Sequence, residues 1–304
     1  MQQIIFSIII PHYNIPELLM RCLNSIPVRE DIQVIVVDDC SPDADKYKEL
    51  YPELSRPYLE CYSTPIGGSA GRARNVGLNH AKGKWVMCMD ADDLFVDNVG
   101  EILSEIVDRE EDILYFNYKS VYSDDLTKEA SRNLYHPYFE QYKENQDESN
   151  FRYRFHSIWG KVIKREMIEK YHIRCDEVRC ADDVGFSLKC GIHANKIAVI
   201  DIPLFIITER PGSLEFANKG IKPVWEYRLR IKVALECQAY ADKHGKGIET
   251  RQYISEAIGF FHHYKTPFLL FFCSMIPKYP NLCFNIMKVW VESKFNKNIL
   301  MAYK

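Results

Sequence analysis

Much that would assign this chain to a large class is missing from it. Its ten cysteines are scattered singly, from Cys22, Cys40, Cys61 and Cys88 onward, and no two form a Cys-x-x-Cys pair. That spacing argues against a zinc site or a disulfide framework and fits free thiols in a reducing compartment. Charge of one sign is also lacking: the net charge is -3 and the pI is about 6.3. Without a basic footprint, nucleic acid is disfavoured as a partner. Long apolar runs are absent too. Ile4–Ile10 has no charged leader and is cut short by Pro11, while Pro267–Ile276 is about half of the roughly 20 residues a spanning helix needs. These features predict a protein made and kept in the cytosol. Finally, the glycine-rich segment Gly67-Gly68-Ser69-Ala70-Gly71 has neither the Gly-x-Gly-x-x-Gly of a dinucleotide fold nor the Gly-Lys-Ser/Thr of a P-loop. Oxidoreductase and NTPase readings lose their main support.

What is present is a strand-like run, Trp85–Met89, followed at once by Asp90, Asp92 and Asp93. Carboxylates this close repel one another unless a cation sits on them. Their oxygens suit Mg²⁺ or Mn²⁺, and Mg²⁺ usually takes one or two carboxylates and completes its shell with water and substrate phosphates. A solvated acidic loop is the bland alternative for any isolated Asp-x-Asp. An EF-hand is excluded: counting from Asp90, Leu94 and Phe95 occupy the fifth and sixth positions, where an oxygen ligand and a turn glycine belong.

Position in the chain lifts the cluster above the bland reading. The length accommodates one large domain plus an extension, and 47% hydrophobic residues suffice for a core. Strand patterns fall at Ile4–Pro11, Ile32–Asp38, Leu59–Ser63, Trp85–Asp90 and Ile113–Asn117, with helical patterns at Ile15–Ser25, Asp43–Leu54, Ala70–Ala81 and Asn98–Arg109. This alternation predicts an α/β fold with a mostly parallel sheet flanked by helices. Ligands of such sheets bind beyond the carboxyl ends of the strands. There the chain has Pro11-His12-Tyr13-Asn14, then Asp38-Asp39-Cys40-Ser41, then the glycine-rich turn with Arg74, then the acidic cluster. Tyr13 can stack on a base, Asp39 can accept from a base N–H, and the turn can bring backbone N–H groups and Arg74 toward phosphate. Each feature alone is more often packing, a cap or a loop. Together in one layer they point to a nucleoside diphosphate. His12 has no matched partner in the sequence and is assigned a structural role.

The segments Phe6–Asn14, Val36–Ser41, Ala73–Leu78 and Met89–Asp93 resemble, in order and spacing, those of the family-2 inverting glycosyltransferases with the GT-A fold, of the bacterial surface-glycan type. The resemblance is dense to about residue 100 and resumes at Ser157–Val162, Ala181–Phe186 and Arg210–Leu214. It implies that Pro11, Tyr13 and Asp39 bound the nucleobase, that Arg74 lies beside the nucleotide and that Asp90 faces the ribose or donor sugar. It also implies that Asp92 holds Mn²⁺ or Mg²⁺ against the diphosphate, with Asp93 in support. Asp182-Asp183 stands where the family carries Glu-Asp: Asp183 is the implied catalytic base, and Asp182 departs from the commoner Glu. Trp159 and Lys161 would help shape the acceptor side, although an aromatic there is as often core.

The expected domains are a catalytic domain over 1–212, with a nucleotide half at 1–100 and an acceptor half at 101–212, and a helical extension over 213–304. Tyr122–Arg154 reads as a long connection of little periodicity, able to cover an acceptor. Val224–His244 and Arg251–His263 read as helices. The apolar runs Phe268–Ile276 and Phe284–Val291, flanked by Lys278, Lys288, Lys294 and Lys297, either pack on the core or touch an anionic membrane peripherally. The expected reaction moves a sugar from a nucleotide-sugar donor, UDP-linked by preference, to a glycan or lipid-linked acceptor. A sugar-1-phosphate nucleotidyltransferase would need a glycine-rich basic loop directly after the first strand, where Pro11–Asn14 stand. A non-catalytic nucleotide-sugar-binding scaffold would be favoured by loss of Asp92 or Asp183, and both are present.

Overall fold

A computed structural model of the protein describes residues 3–42, 58–211, 221–246 and 252–295. The chain divides into two compact units, Met1–Ser213 and Leu214–Lys304.

In the first unit, strands β1 (Phe6–His12), β2 (Ile32–Asp38), β3 (Leu59–Ser63) and β4 (Trp85–Cys88) pair in parallel in the order β3-β2-β1-β4. The isoleucine and valine runs of β1 and β2 are buried throughout, as continuous β-branched sequence requires when helices cover both faces of a sheet. Helix α1 (Pro16–Ser25) follows β1 with proline in its first turn, where the missing N–H costs nothing. Helix α2 (Ala70–His80) is capped by Ser69, whose hydroxyl accepts from the Arg72 N–H at 3.2 Å. It lies flat on β1 because Gly77 offers no side chain to the Ile9 branch it touches.

The sheet continues past β4 as a mixed one. After β5 (Leu94–Phe95), α3 (Val99–Ile106) and β6 (Ile113–Tyr122), helices α4 (His136–Asn145) and α5 (Ser149–Tyr153) precede β7 (Lys161–Lys164), which runs antiparallel between β4 and β6. Helices α6 (Arg165–Lys170) and α7 (Val184–His193) then lead to β8 (Ile197–Glu209), parallel to β6 and antiparallel to β5. Pairing β5 with β8 carries the acidic turn just before β5 against the end of β8.

The sheet is mostly parallel, with four parallel pairings, and adds three antiparallel ones through β5 and β7, which are too short to register in the sequence as apolar runs. One expectation changes. The stretch 122–154 is not a bare connection. Tyr135, Tyr138, Phe139 and Tyr142, at helical spacing, pack with Phe151 and Phe155 against the sheet. The helical pattern at Asp43–Leu54, the segment Gly212–Leu214 and Lys297 lie outside the described residues.

The second unit contains α8 (Val224–Lys243), α9 (Gln252–His263), α10 (Lys265–Met275) and α11 (Pro280–Phe295). Tyr227, Ile231, Leu235, Ile254, Phe260 and Ile286 form part of its own core.

Candidate active site

The ends of β1 and β2 are laced together. His12 Nδ1 lies 3.0 Å from Asp38 Oδ1, and its Nε2 accepts from the Ile15 N–H at 3.2 Å. The other Asp38 oxygen accepts from Ser41 N at 2.8 Å, and the Ser41 hydroxyl accepts from Asn14 N at 2.8 Å. His12 is therefore a buried crossbrace, and burial lowers its pKa despite Asp38. The brace fixes the turn on which Pro11 is half-buried and Tyr13 stands 56% exposed.

Asp39 ties the second strand end to the glycine-rich turn. Its Oδ2 accepts from Gly68 N at 2.7 Å and Ser69 N at 2.8 Å, and its Oδ1 from the Thr64 hydroxyl at 2.8 Å. Three donors converging on one buried carboxylate hold the turn rigid. Gly68, at φ 94°, adopts a conformation that disfavours any side chain.

Arg74 is the hub of the site. Its guanidinium, almost fully buried, gives one nitrogen to Asp90 Oδ1 at 2.6 Å and another to Asp182 Oδ2. Burial works against its charge, but Asp182 and Asp90 outweigh it and hold the pKa above the ordinary arginine value. Asp182 is able to approach because Gly71 has no Cβ: one placed there would lie 2.9 Å from the Asp182 Cβ and would strike the Asp176 carbonyl.

The acidic turn is gripped from β8 and α1. The Asp92 carbonyl accepts from Arg21 at 2.8 Å and from the Thr208 hydroxyl at 2.9 Å, while its carboxylate Oδ2 pairs with Arg210 Nε at 2.9 Å. Asp93 is buried with Oδ1 on Thr208 N at 2.7 Å. Burial first, and then repulsion from neighbouring aspartates, raises the pKa of both Asp92 and Asp93. Asp90 and Asp92 are each met by one arginine, Arg74 and Arg210. Among the described residues no group of three or more histidine, cysteine or acidic side chains forms a metal cage. The donors fit instead a hard divalent ion that takes one or two carboxylates and fills its shell from phosphate and water.

Asp183 opens α7, with Oδ2 accepting from Ile158 N at 3.2 Å. Burial and then Asp182 push its carboxyl up to about 6. Trp159 is buried edge-on against Tyr118 and Tyr135, which makes it core rather than an open acceptor wall. Lys161 is buried as well.

Asp90, Arg74 and Asp182 thus form one ion-paired chain, with Asp183 next to it in sequence and Asp92 and Asp93 on the same acidic turn. Tyr13 and Asp39 stand at the neighbouring strand ends. Arg21, Thr208 and Arg210 were not singled out from the sequence. Their partners are 71 to 118 residues away, so only the Arg210-Pro-Gly-Ser segment carried any signal.

The solved structures of similar shape carry the GT-A fold, a large central sheet flanked by helices. The glycosyl transferase family 2 model matches residues 7–171, and the chain belongs to that family. It is 28% identical over 218 residues to the glycosyltransferase EpsJ of Bacillus subtilis, covering 68% of this chain and 62% of EpsJ. It is 26% identical over 243 residues to the poly(ribitol-phosphate) beta-N-acetylglucosaminyltransferase TarS of Staphylococcus aureus, covering 76% of this chain and 40% of TarS. The chain therefore spans less than two thirds of the length of these curated relatives. Among solved structures, S. aureus TarS 1-349 in complex with UDP-GlcNAc superposes with a TM-score of 0.68 at 20% identity, over 97% of this chain and 88% of that one. The mannosyltransferase PcManGT of Pyrobaculum calidifontis, in complex with GDP-Man and Mn²⁺, gives 0.55 at 16% identity, over 99% of this chain and 85% of that one.

Proposed function

We propose that the chain is a metal-dependent, inverting glycosyltransferase that moves one sugar from a UDP-linked donor to a hydroxyl of a surface-glycan or lipid-linked acceptor on the cytoplasmic side of a membrane. The observation that carries this reading is the Asp90–Arg74–Asp182 ion-paired chain, which ties the acidic turn to the helix start bearing Asp183. In this reading residues 1–100 bind the nucleotide, 101–212 the acceptor, and 213–304 form an extension.

Tyr13 stacks on the base, Pro11 bounds it, and Asp39 both accepts from it and keeps the glycine turn in shape. Asp90 addresses the ribose or donor sugar. Asp92, supported by Asp93, holds Mn²⁺ or Mg²⁺, which supplies charge neutralisation for the leaving diphosphate. Arg210, now on Asp92, is the neighbouring cation able to turn toward phosphate. Asp183 takes the acceptor proton as the hydroxyl attacks the anomeric carbon opposite the departing diphosphate, so the centre inverts in one displacement. A carboxyl pushed up to about 6 is a stronger base than an ordinary aspartate and remains ionised at neutral pH.

A donor-hydrolysis screen over a panel of nucleotide sugars with Mn²⁺ tests the reading. Release of UDP from one or a few UDP-sugars is the expected result. A panel with no turnover, yet measurable nucleotide-sugar binding, would favour a scaffold.

A further inference from the structure

We propose that Lys161 is a positioning residue for Asp183, acting through the peptide group between Ser157 and Ile158. The proposal rests on the reading of Asp183 as the base. Lys161, the first residue of β7, is buried, and its ammonium donates to the Ser157 carbonyl and, at 3.1 Å, to the Ser187 hydroxyl. That carbonyl belongs to the same peptide unit as the Ile158 N–H, which donates to Asp183 Oδ2 at 3.2 Å. A cation on the oxygen of an amide draws electron density away from its nitrogen, so the N–H donates more strongly at the other end. The ammonium thereby favours the ionised carboxylate and orients it without being bonded to it.

Two further features fit this role better than simple core filling. The lysine sits 4.5 Å over the Phe155 ring and 5.8 Å from that of Tyr115, surroundings in which an apolar side chain would cost far less to bury. Ser187 lies one turn along α7 from Asp183: its N–H donates to the Asp183 carbonyl at 2.9 Å, and its hydroxyl donates to the His156 carbonyl at 2.6 Å. Lys161 therefore locks the loop 156–158 and the start of α7 together at the base. The charged and titratable groups facing Asp183 include Asp182, Arg74, Asp90, Lys161, Cys175 and the Tyr135 phenol; those facing Lys161 include Asp183, Cys88, Cys190, His156 and Tyr115. Burial lowers the Lys161 pKa to about 7 and Asp183 works against that fall, so each group supports the charge of the other.

Carboxyl-carbon NMR of the full chain with labelled aspartate tests the relay, the Asp183 signal being assigned by its loss in Asp183→Asn. In Lys161→Met the Asp183 titration midpoint should rise by about half a pH unit or more, with the acid limb of the transfer profile moving alongside and donor affinity unchanged; Lys161→Arg should recover most of the shift. Coupling is reciprocal, so Asp183→Asn should lower the midpoint of the Lys161 ammonium followed by ¹⁵N NMR. An unmoved Asp183 midpoint in folded Lys161→Met overturns the proposal. If that variant does not fold, the Lys161 midpoint in Asp183→Asn decides in the same way. A wild-type chain inactive toward every donor would count against glycosyl transfer, while the two titrations would still decide the relay.

Discussion

Asp183 carries opposite consequences for activity and stability. A base is useful only when ionised, so transfer should rise with pH through about 6 and level off above it, and a profile flat from pH 5 to 8 would remove Asp183 from the role. Stability should run the other way. The folded pKa is raised above the ordinary 3.8, so the fold favours the neutral acid, and the stability this contributes is lost as pH rises through about 6. Asp183→Asn, permanently neutral, should therefore melt higher than wild type at pH 7.5 and alongside it at pH 3.5. Differential scanning calorimetry at both pH values checks the sign; a lower melting temperature at pH 7.5 would mean that the site stabilises the charge.

At the scale of elements, the close approach of α2 to the loop before α7 depends on Gly71. Gly71→Ala should cost about 1 to 3 kcal/mol in urea unfolding, because the new methyl meets backbone that cannot yield cheaply. It should also lower transfer by displacing Asp182, and unchanged stability would show that the loop is free to move. The parallel half of the sheet was legible because β1, β2 and β4 are buried on both faces and read as unbroken apolar runs. The short β7 and the two-residue β5 carried no such signal, and the half-exposed β8 alternates too irregularly to stand out. Asp90 and Asp92 stood out by type and spacing, and Asp182-Asp183 only through the family resemblance. The ion pairs joining them did not, since Arg74 to Asp182 and Arg210 to Asp92 span about a third of the chain. The C-terminal apolar runs divide: Leu282, Ile286 and Val289 of α11 are core, while Phe284, Met287 and Val291 are exposed, as are Leu269 and Leu270 of α10. Lys265, Lys278 and Lys288 are exposed as well, so peripheral contact with an anionic membrane stays an expectation to be tested against packing. The full chain should cosediment with phosphatidylglycerol vesicles, and Leu270→Glu with Phe284→Glu should abolish it. No sedimentation by the wild-type chain would refute membrane contact.

For the whole molecule, donor and acceptor chemistry should be separable. UDP with Mn²⁺ should raise the melting temperature, and chelation should remove most of the gain, because a ligand stabilises only through the folded state it binds. Equal stabilisation with and without metal would detach Asp92 from the ion. The most direct measurement pairs donor titration calorimetry with acceptor-dependent transfer on Asp92→Asn and Asp183→Asn from matched preparations. Asp92→Asn should lose donor affinity and transfer together, whereas Asp183→Asn should bind the donor nearly as wild type and transfer roughly 10² to 10⁴-fold more slowly. Near wild-type transfer by Asp183→Asn, or a loss of donor affinity equal to that of Asp92→Asn, would contradict the division of the site into a leaving-group end and a base.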